Sequence, residues 1–263
     1  MDLDEALKLS EDMQKRLFML AEEVQERLLP STRPVIEGYT FFDYFQTHIA
    51  RNYYDYIRLA DGRLVVVIAD VVVLGHGIVA AMLLAKLSGE VRFCLASDSD
   101  PAAAVTHLNE RMRQFDLNRY MRFLMVSLDP DTHDVKIVNA GNVHPIHRHL
   151  DGSLSLPGKD AAHLPIGLMD DVEYVATTVT LQPGESLTLF TDGFEGATNM
   201  AGEPFTFDRI CEIVAATNGD PTEIGNSLLT QVRQHLGDQP QDDDICLISF
   251  GRVPTAQVHH KGT

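Results

Sequence analysis

Three carboxylate positions in this sequence share one context, the end of a very apolar run. Asp70 follows Leu64-Val65-Val66-Val67-Ile68-Ala69, Asp192 follows Leu187-Thr188-Leu189-Phe190-Thr191, and Asp243-Asp244 precede Ile245-Cys246-Leu247-Ile248. One aspartate in such a place is ordinarily a turn or capping residue. A carboxylate at the tip of a buried strand is nevertheless costly unless it is paired or bound to a cation, so three tips converging would make a site for a hard divalent ion with oxygen ligands. Gly193 follows Asp192 directly and Gly75-His76-Gly77 follows Asp70, which lets backbone approach a ligand at both points. The glycine turn before a helix could also aim amides at a phosphate, and His76 could act as an acid; simple turn-making and solvent exposure account for these residues equally well.

The elements that must position these acids are short aromatic and β-branched runs: Tyr39–Phe45, Tyr53–Leu59, Leu64–Val73, Met121–Leu128, Val135–Val138, Pro145–His149, Val172–Leu181, Ser186–Phe190 and Asp244–Phe250. The turn sequences Ala60-Asp61-Gly62-Arg63 and Asp129-Pro130-Asp131-Thr132 imply antiparallel hairpins. Helical patterns cover Ile78–Ala96, Pro101–Phe115, Phe207–Ala216 and Pro221–Leu236, with Pro101 and Pro221 suited to a first helical position after Asp100 and Asp220. Strand groups with helices inserted in pairs predict an α+β fold, two antiparallel sheets packed face to face with helices outside. From Asp2 to Leu29 an uninterrupted helix pattern carries an apolar stripe of Met13, Leu17, Leu20, Val24 and Leu28, ended by Pro30. That stripe can pack on the body of the domain or join a partner subunit.

Composition sets outer bounds. The chain has 263 residues, 44% hydrophobic and 22% charged, the balance of a globular protein. With 21 Lys+Arg against 38 Asp+Glu the formal charge is −17, which repels a phosphate backbone and argues against nucleic acid as partner. Cys94, Cys211 and Cys246 lie far apart in apolar runs, reading as buried thiols in a reducing compartment. No signal peptide and no span of the roughly 20 apolar residues a membrane helix needs is visible, so no membrane partner and a cytoplasmic location are expected. The expected organisation is a helix over 1–29, a catalytic-sized domain over 30–253 and a frayed tail over 254–263.

Taken in order, the motifs resemble the PPM family of metal-dependent serine/threonine protein phosphatases, in the bacterial branch typified by SpoIIE and RsbU. They are the helix end VQERLLP, the strand with Tyr53-Tyr54-Asp55, IADV followed by Gly75-His76-Gly77 and IVAAMLLAKL, the loop Ala140–Pro145, LPIG at Leu164–Gly167, PGESLTLFTDG at Pro183–Gly193 and DDI at Asp243–Ile245. The resemblance runs from about Ala21 to Val253. It implies an α-β-β-α sandwich whose edge holds two Mn²⁺ or Mg²⁺ ions, which activate a bridging water for in-line attack on phosphorus. By motif, Asp70 would bridge both ions, Val71 would offer its carbonyl to the second, and Asp192 and Asp243 would complete the first. It further implies a phosphorylated regulatory protein as substrate, such as an anti-sigma-factor antagonist, with a homodimer or upstream sensor engaged through the N-terminal helix.

Departures cluster at the site. Asn52 stands where the family has an acidic ligand of the second ion; its amide oxygen can still coordinate that ion, though with a charge lost, and Arg51 sets a cation beside it. Asp55 could compensate if the backbone allows. The turn after Asp70 is two residues longer than in the family and apolar through Val72, Val73 and Leu74, so either the loop bulges and Asp70 keeps its place or the strand runs on and Asp70 is displaced from the site. The glutamate after Asp192-Gly193 falls at Glu195, one position early, and Asn142 replaces a loop histidine, with His144 two places later. His144, His147 and His149 lie in a strand-like run in which 147 and 149 share a face that could bind zinc, but no fourth soft ligand is nearby, and Arg92, Arg111 and Arg113 could meet a phosphoprotein or simply face solvent. Two functions therefore stand: a metal-dependent phosphatase, or a pseudophosphatase that binds or scaffolds a phosphoprotein with an impaired second ion site.

Overall fold

The turn chemistry closes the hairpins it predicts. In the computed structural model, which describes residues 3–46, 51–72, 78–114, 120–141, 144–161, 164–241 and 243–254, β2 (Asn52–Arg58) and β3 (Leu64–Val72) are joined by a turn in which the Leu59 N–H donates to the Arg63 carbonyl at 2.8 Å. Between β4 (Tyr120–Leu128) and β5 (Asp134–Ala140), Asp129 Oδ1 accepts from the backbone N–H of Asp131 at 2.9 Å and of Thr132 at 3.3 Å. With β8 (Thr177–Thr180) these form one antiparallel sheet in the order β2-β3-β4-β5-β8. The second contains β1 (Tyr39–Gln46), β6 (Ile146–Arg148), β7 (Leu154–Ser155), β9 (Ser186–Phe190) and β10 (Ile245–Arg252), in the order β1-β10-β9-β6-β7.

Strand alternation distributes the side chains into three apolar layers. In β3, Leu64, Val66 and Ile68 enter the layer between the sheets with Leu124 and Val126 of β4, Leu187 and Leu189 of β9, and Cys246, Ile248 and Phe250 of β10. The opposite parity, Val65, Val67, Ala69 and Val71, packs against α2 (Ile78–Ser97) and α3 (Pro101–Arg113). Both faces of β3 are thus covered, which is why its run reads as continuous apolar. On the far side, α5 (Phe207–Ala216) and α6 (Pro221–Leu236) cover the second sheet with Ile210, Val214, Leu228 and Val232. Asp100 and Asp220 cap α3 and α6 as their sequence contexts predict, Asp220 accepting from the N–H groups of Thr222 at 2.8 Å and Glu223 at 3.1 Å. The sandwich expected from the resemblance is the one observed.

Some elements differ from expectation. The run 172–181 is a strand only over β8; Val172, Tyr174 and Ala176 are spent instead on the helix-side core. The short β7 and the one-turn α4 (Asp192–Glu195) carry no periodic signal of their own. β3 continues through Val72, so the strand runs on past Asp70 without displacing it from its place between Asn52 and Arg122, while Val73, Leu74 and Gly75-His76-Gly77 lie outside the described residues, as do Asn142 and residues 255–263 of the expected tail. The N-terminal helix α1 (Leu3–Leu28) divides its stripe: Leu28 packs on the helix-side core, whereas Met13, Leu17, Leu20 and Val24 are 38–58% exposed. No helix among the described residues is long and apolar enough to cross a membrane.

Candidate metal centre

The parity that fills the inter-sheet layer also builds the site. Continuing Leu64, Val66, Ile68 by two residues reaches Asp70, and continuing Leu128, Val126, Leu124 reaches Arg122, its partner in register. On the other flank of β3, Asp70 faces Asn52. From the second sheet the same alternation brings Thr191 after Leu187 and Leu189, and Asp244 before Cys246 and Ile248. One end of the apolar layer is therefore closed by a polar row from both sheets, with Asp192 and Asp243 beside it. Gly193 permits this closeness: a Cβ there would lie 2.2 Å from the Asp244 carbonyl oxygen.

Each expected carboxylate ligand carries an arginine. Arg122 places Nη2 at 2.5 Å and Nε at 3.1 Å from Asp70 Oδ2, and its Nη1 donates to Asp192 Oδ2. Arg51 Nη2 donates to Asp243 Oδ1 at 2.6 Å. Asp244, fully buried, accepts at Oδ2 from the backbone N–H of Arg51 at 2.6 Å and of Asn52 at 3.1 Å, tying the start of β2 to the end of β10. Asn52 acts as a donor: its Nδ2 reaches Thr191 Oγ1 at 2.9 Å and the Asp244 carbonyl at 3.1 Å. Burial pushes Asp70 up to about 6, against the pull of Arg122 and Arg51 and with the neighbouring charge of Asp192 adding to the rise.

The donor chemistry is that of a hard-cation site and is richer on the first-ion side than on the second. Asp70, Asp192 and Asp243 supply oxygen ligands of the right kind. The second set, Asn52, Asp70 and the Val71 carbonyl, is poorer by a charge, and Asn52 turns its amide N–H groups into the row. Among the described residues, three ligand atoms of separate His, Cys, Asp or Glu side chains come within 4.8 Å of one another at His147, His149 and Glu185, and not at Asp70, Asp192 and Asp243 taken together. A cleft of about 400 Å³ opens beside the row and is lined by Arg122 and Asp192 together with His144, Lys159, Glu195 and Phe207.

Other candidates resolve individually. Asp55 does not compensate for Asn52: three residues on, it faces α2, where it accepts from Tyr53 Oη at 2.8 Å and pairs with Arg92. Arg111 pairs with Glu90 and Arg113 with Asp170, so these cations serve internal ion pairs. His147 and His149 share the carboxylate of Glu185, a hard ligand type, whose oxygens lie 3.0 and 3.2 Å from their ring nitrogens. Sequence reasoning missed Arg122 and also Gln25, buried on α1, whose Nε2 donates to the Asn52 carbonyl at 2.5 Å. Arg122 was detectable as a lone cation on the inter-sheet parity of an apolar strand; nothing in the sequence marks Gln25.

Comparison with known proteins agrees with this architecture. The family model described as Stage II sporulation protein E (SpoIIE) matches residues 60–253. The chain is 23% identical over 242 residues to Phosphoserine phosphatase RsbP of Bacillus subtilis, covering 89% of this chain but 57% of that protein, so it spans little more than half of that relative. The SiaA-PP2C domain of Pseudomonas aeruginosa superposes with a TM-score of 0.76 at 22% identity, covering 92% of this chain and 98% of that one. Similar folds have been solved with ions bound. RsbX in complex with magnesium has a TM-score of 0.61 at 16% identity, covering 82% of this chain and 96% of its own. The catalytic domain of the serine/threonine phosphatase PstP with two manganese ions has a TM-score of 0.55 at 16% identity, covering 82% and 98%.

Proposed function

The chain belongs to the SpoIIE family of PP2C-type protein serine/threonine phosphatases, and from that premise we propose that it hydrolyses phosphoserine or phosphothreonine on a small regulatory protein, such as an anti-sigma-factor antagonist. The observation that carries this reading is the placement of Asp70, Asp192 and Asp243 at one edge of the sandwich, with Arg122 pairing with the first two and Arg51 with the third. These three would hold a Mn²⁺ or Mg²⁺ ion, which when bound supplies a water of lowered pKa and a clamp for phosphoryl oxygens. The remaining work falls to the chain. Lys159 and Arg122 present positive charge to a phosphate entering the adjoining cleft, and Phe207 offers an apolar wall to the residue that carries it. Asp244 fixes β2 against β10 through two backbone N–H groups and so holds the two sheets' acids in register. The half-exposed stripe of α1 supports a homodimer or upstream sensor helix as a further partner. The organisation expected above, a helical extension, a phosphatase domain and a short tail, is retained as part of this proposal.

A second reading, a pseudophosphatase that captures the phosphoprotein without turning it over, is favoured by Asn52 at the second-ion position and by the arginines on all three acids. Incubating the protein with a phosphoserine-bearing substrate protein in Mn²⁺ separates the two. Phosphate release that EDTA abolishes supports hydrolysis, and stable co-elution without release supports capture.

A further inference from the structure

We infer that Arg122 is the resident cation of the acid row, bridging Asp70 and Asp192 in the place of a divalent ion, so that an ion enters only as the guanidinium leaves. The inference rests on the phosphatase reading and concerns the control of that same site. Arg122 continues a face of β4 on which Leu124, Val126 and Leu128 are all buried and apolar, and its side chain is 28% exposed. A cation at that position is held there by the acids it meets. Its fork contacts one sheet's carboxylate through Nε and Nη2 and the other sheet's through Nη1, thereby joining Asp70 to Asp192 as a bridging ion would. A guanidinium cannot be titrated away, so the occupancy is permanent unless the side chain moves.

Charge counting points the same way. Asp70, Asp192, Asp243 and Asp244 carry four formal negative charges, and Arg51 and Arg122 return two positive ones. With both arginines in the row two negative charges remain, and with Arg122 gone three remain, so the pull on a divalent ion rises as the guanidinium leaves. The structure also offers an exit: Arg122 borders the cleft of about 400 Å³, where Glu195 provides another carboxylate for a displaced guanidinium. That glutamate is the acid found one position early in the sequence.

Titration calorimetry with Mn²⁺ on the full chain tests this, comparing wild type with Arg122→Ala. The expected result is one ion in the wild type, bound at least about tenfold more weakly than in Arg122→Ala. Melting temperature gives a second readout: about 1 mM Mn²⁺ should raise the melting temperature of the wild type less than that of the variant, which melts lower than the wild type in EDTA and recovers with Mn²⁺. If Arg122→Ala does not fold, Arg122→Lys supplies the comparison, because a point charge bridges two carboxylates less well than a fork and should bind Mn²⁺ about threefold or more tighter than wild type. Equal affinities, or two ions in the wild type, would overturn the inference and leave the phosphatase reading standing. No binding in either protein would overturn both.

Discussion

Restoring the family's missing acid, Asn52→Asp, is expected to destabilise this protein when no divalent ion is present. The Asn52 side chain is buried, and its amide nitrogen serves two acceptors, Thr191 Oγ1 at 2.9 Å and the Asp244 carbonyl at 3.1 Å. A carboxylate has no proton to give. The Thr191 hydroxyl can turn to donate to it, but toward the Asp244 carbonyl two acceptors would face each other, and the new charge would sit across the ladder from Asp70. Losing one hydrogen bond costs about 1 kcal/mol, and leaving a buried charge without a new cation adds about 1–3 kcal/mol, for a total of about 2–4 kcal/mol. For a chain of this size each kcal/mol moves the melting temperature by roughly 2–4 °C, so a fall of roughly 5–15 °C is expected. Differential scanning calorimetry of both proteins in EDTA reads it directly. A melting temperature unchanged to within about 1 °C would show that the amide donor at position 52 is dispensable and would refute the hydrogen-bond argument.

Further outcomes follow from the same geometry. Gly193→Ala should lower both stability and any Mn²⁺ affinity, because its Cβ would fall 2.2 Å from the Asp244 carbonyl and push Asp192 away from Asp243; wild-type values in calorimetry would show that the backbone yields there at little cost. Asp244→Ala strips the acceptor from the N–H groups of Arg51 and Asn52 and should cost about 2–5 kcal/mol in urea unfolding, and a loss below about 0.5 kcal/mol would contradict the clasp. Burial, with His149 adding to it, holds His147 below the usual 6.5, so the folded protein binds fewer protons there than the unfolded chain. Its stability should therefore fall as pH drops below about 6.5, by at most about 1.4 kcal/mol per pH unit from this group. His147→Gln should flatten that slope between pH 7 and pH 5, and an identical slope in the variant would place the effect elsewhere.

How much of this was legible in the sequence depends on the range of the signal. Asp70, Asp192 and Asp243 could be found because each ends an apolar run, and a run's end is a local fact. Alternation alone would also have exposed Arg122, since Tyr120-Met121-Arg122-Phe123-Leu124 sets a cation on the parity of buried leucines; a motif-led reading passes over a residue that the motif does not contain. The hope that Asp55 replaces Asn52 fails on parity, as a separation of three residues puts the two on opposite faces of β2. Glu185 lies 36 residues from His149 along the chain and meets it only through the pairing of β6 with β9. Gln25 reaches β2 only because α1 docks its last turn there, a tertiary contact without a local sequence mark.

The most direct measurement of the central claim is phosphate release from a phosphoserine-bearing regulatory protein, followed by a colorimetric phosphate assay in millimolar Mn²⁺, for the wild type and for Asp192→Ala. The account predicts release by the wild type that EDTA abolishes and that Asp192→Ala lacks although it remains folded. Release unaffected by Asp192→Ala would contradict the assignment of the acid row as the reactive centre.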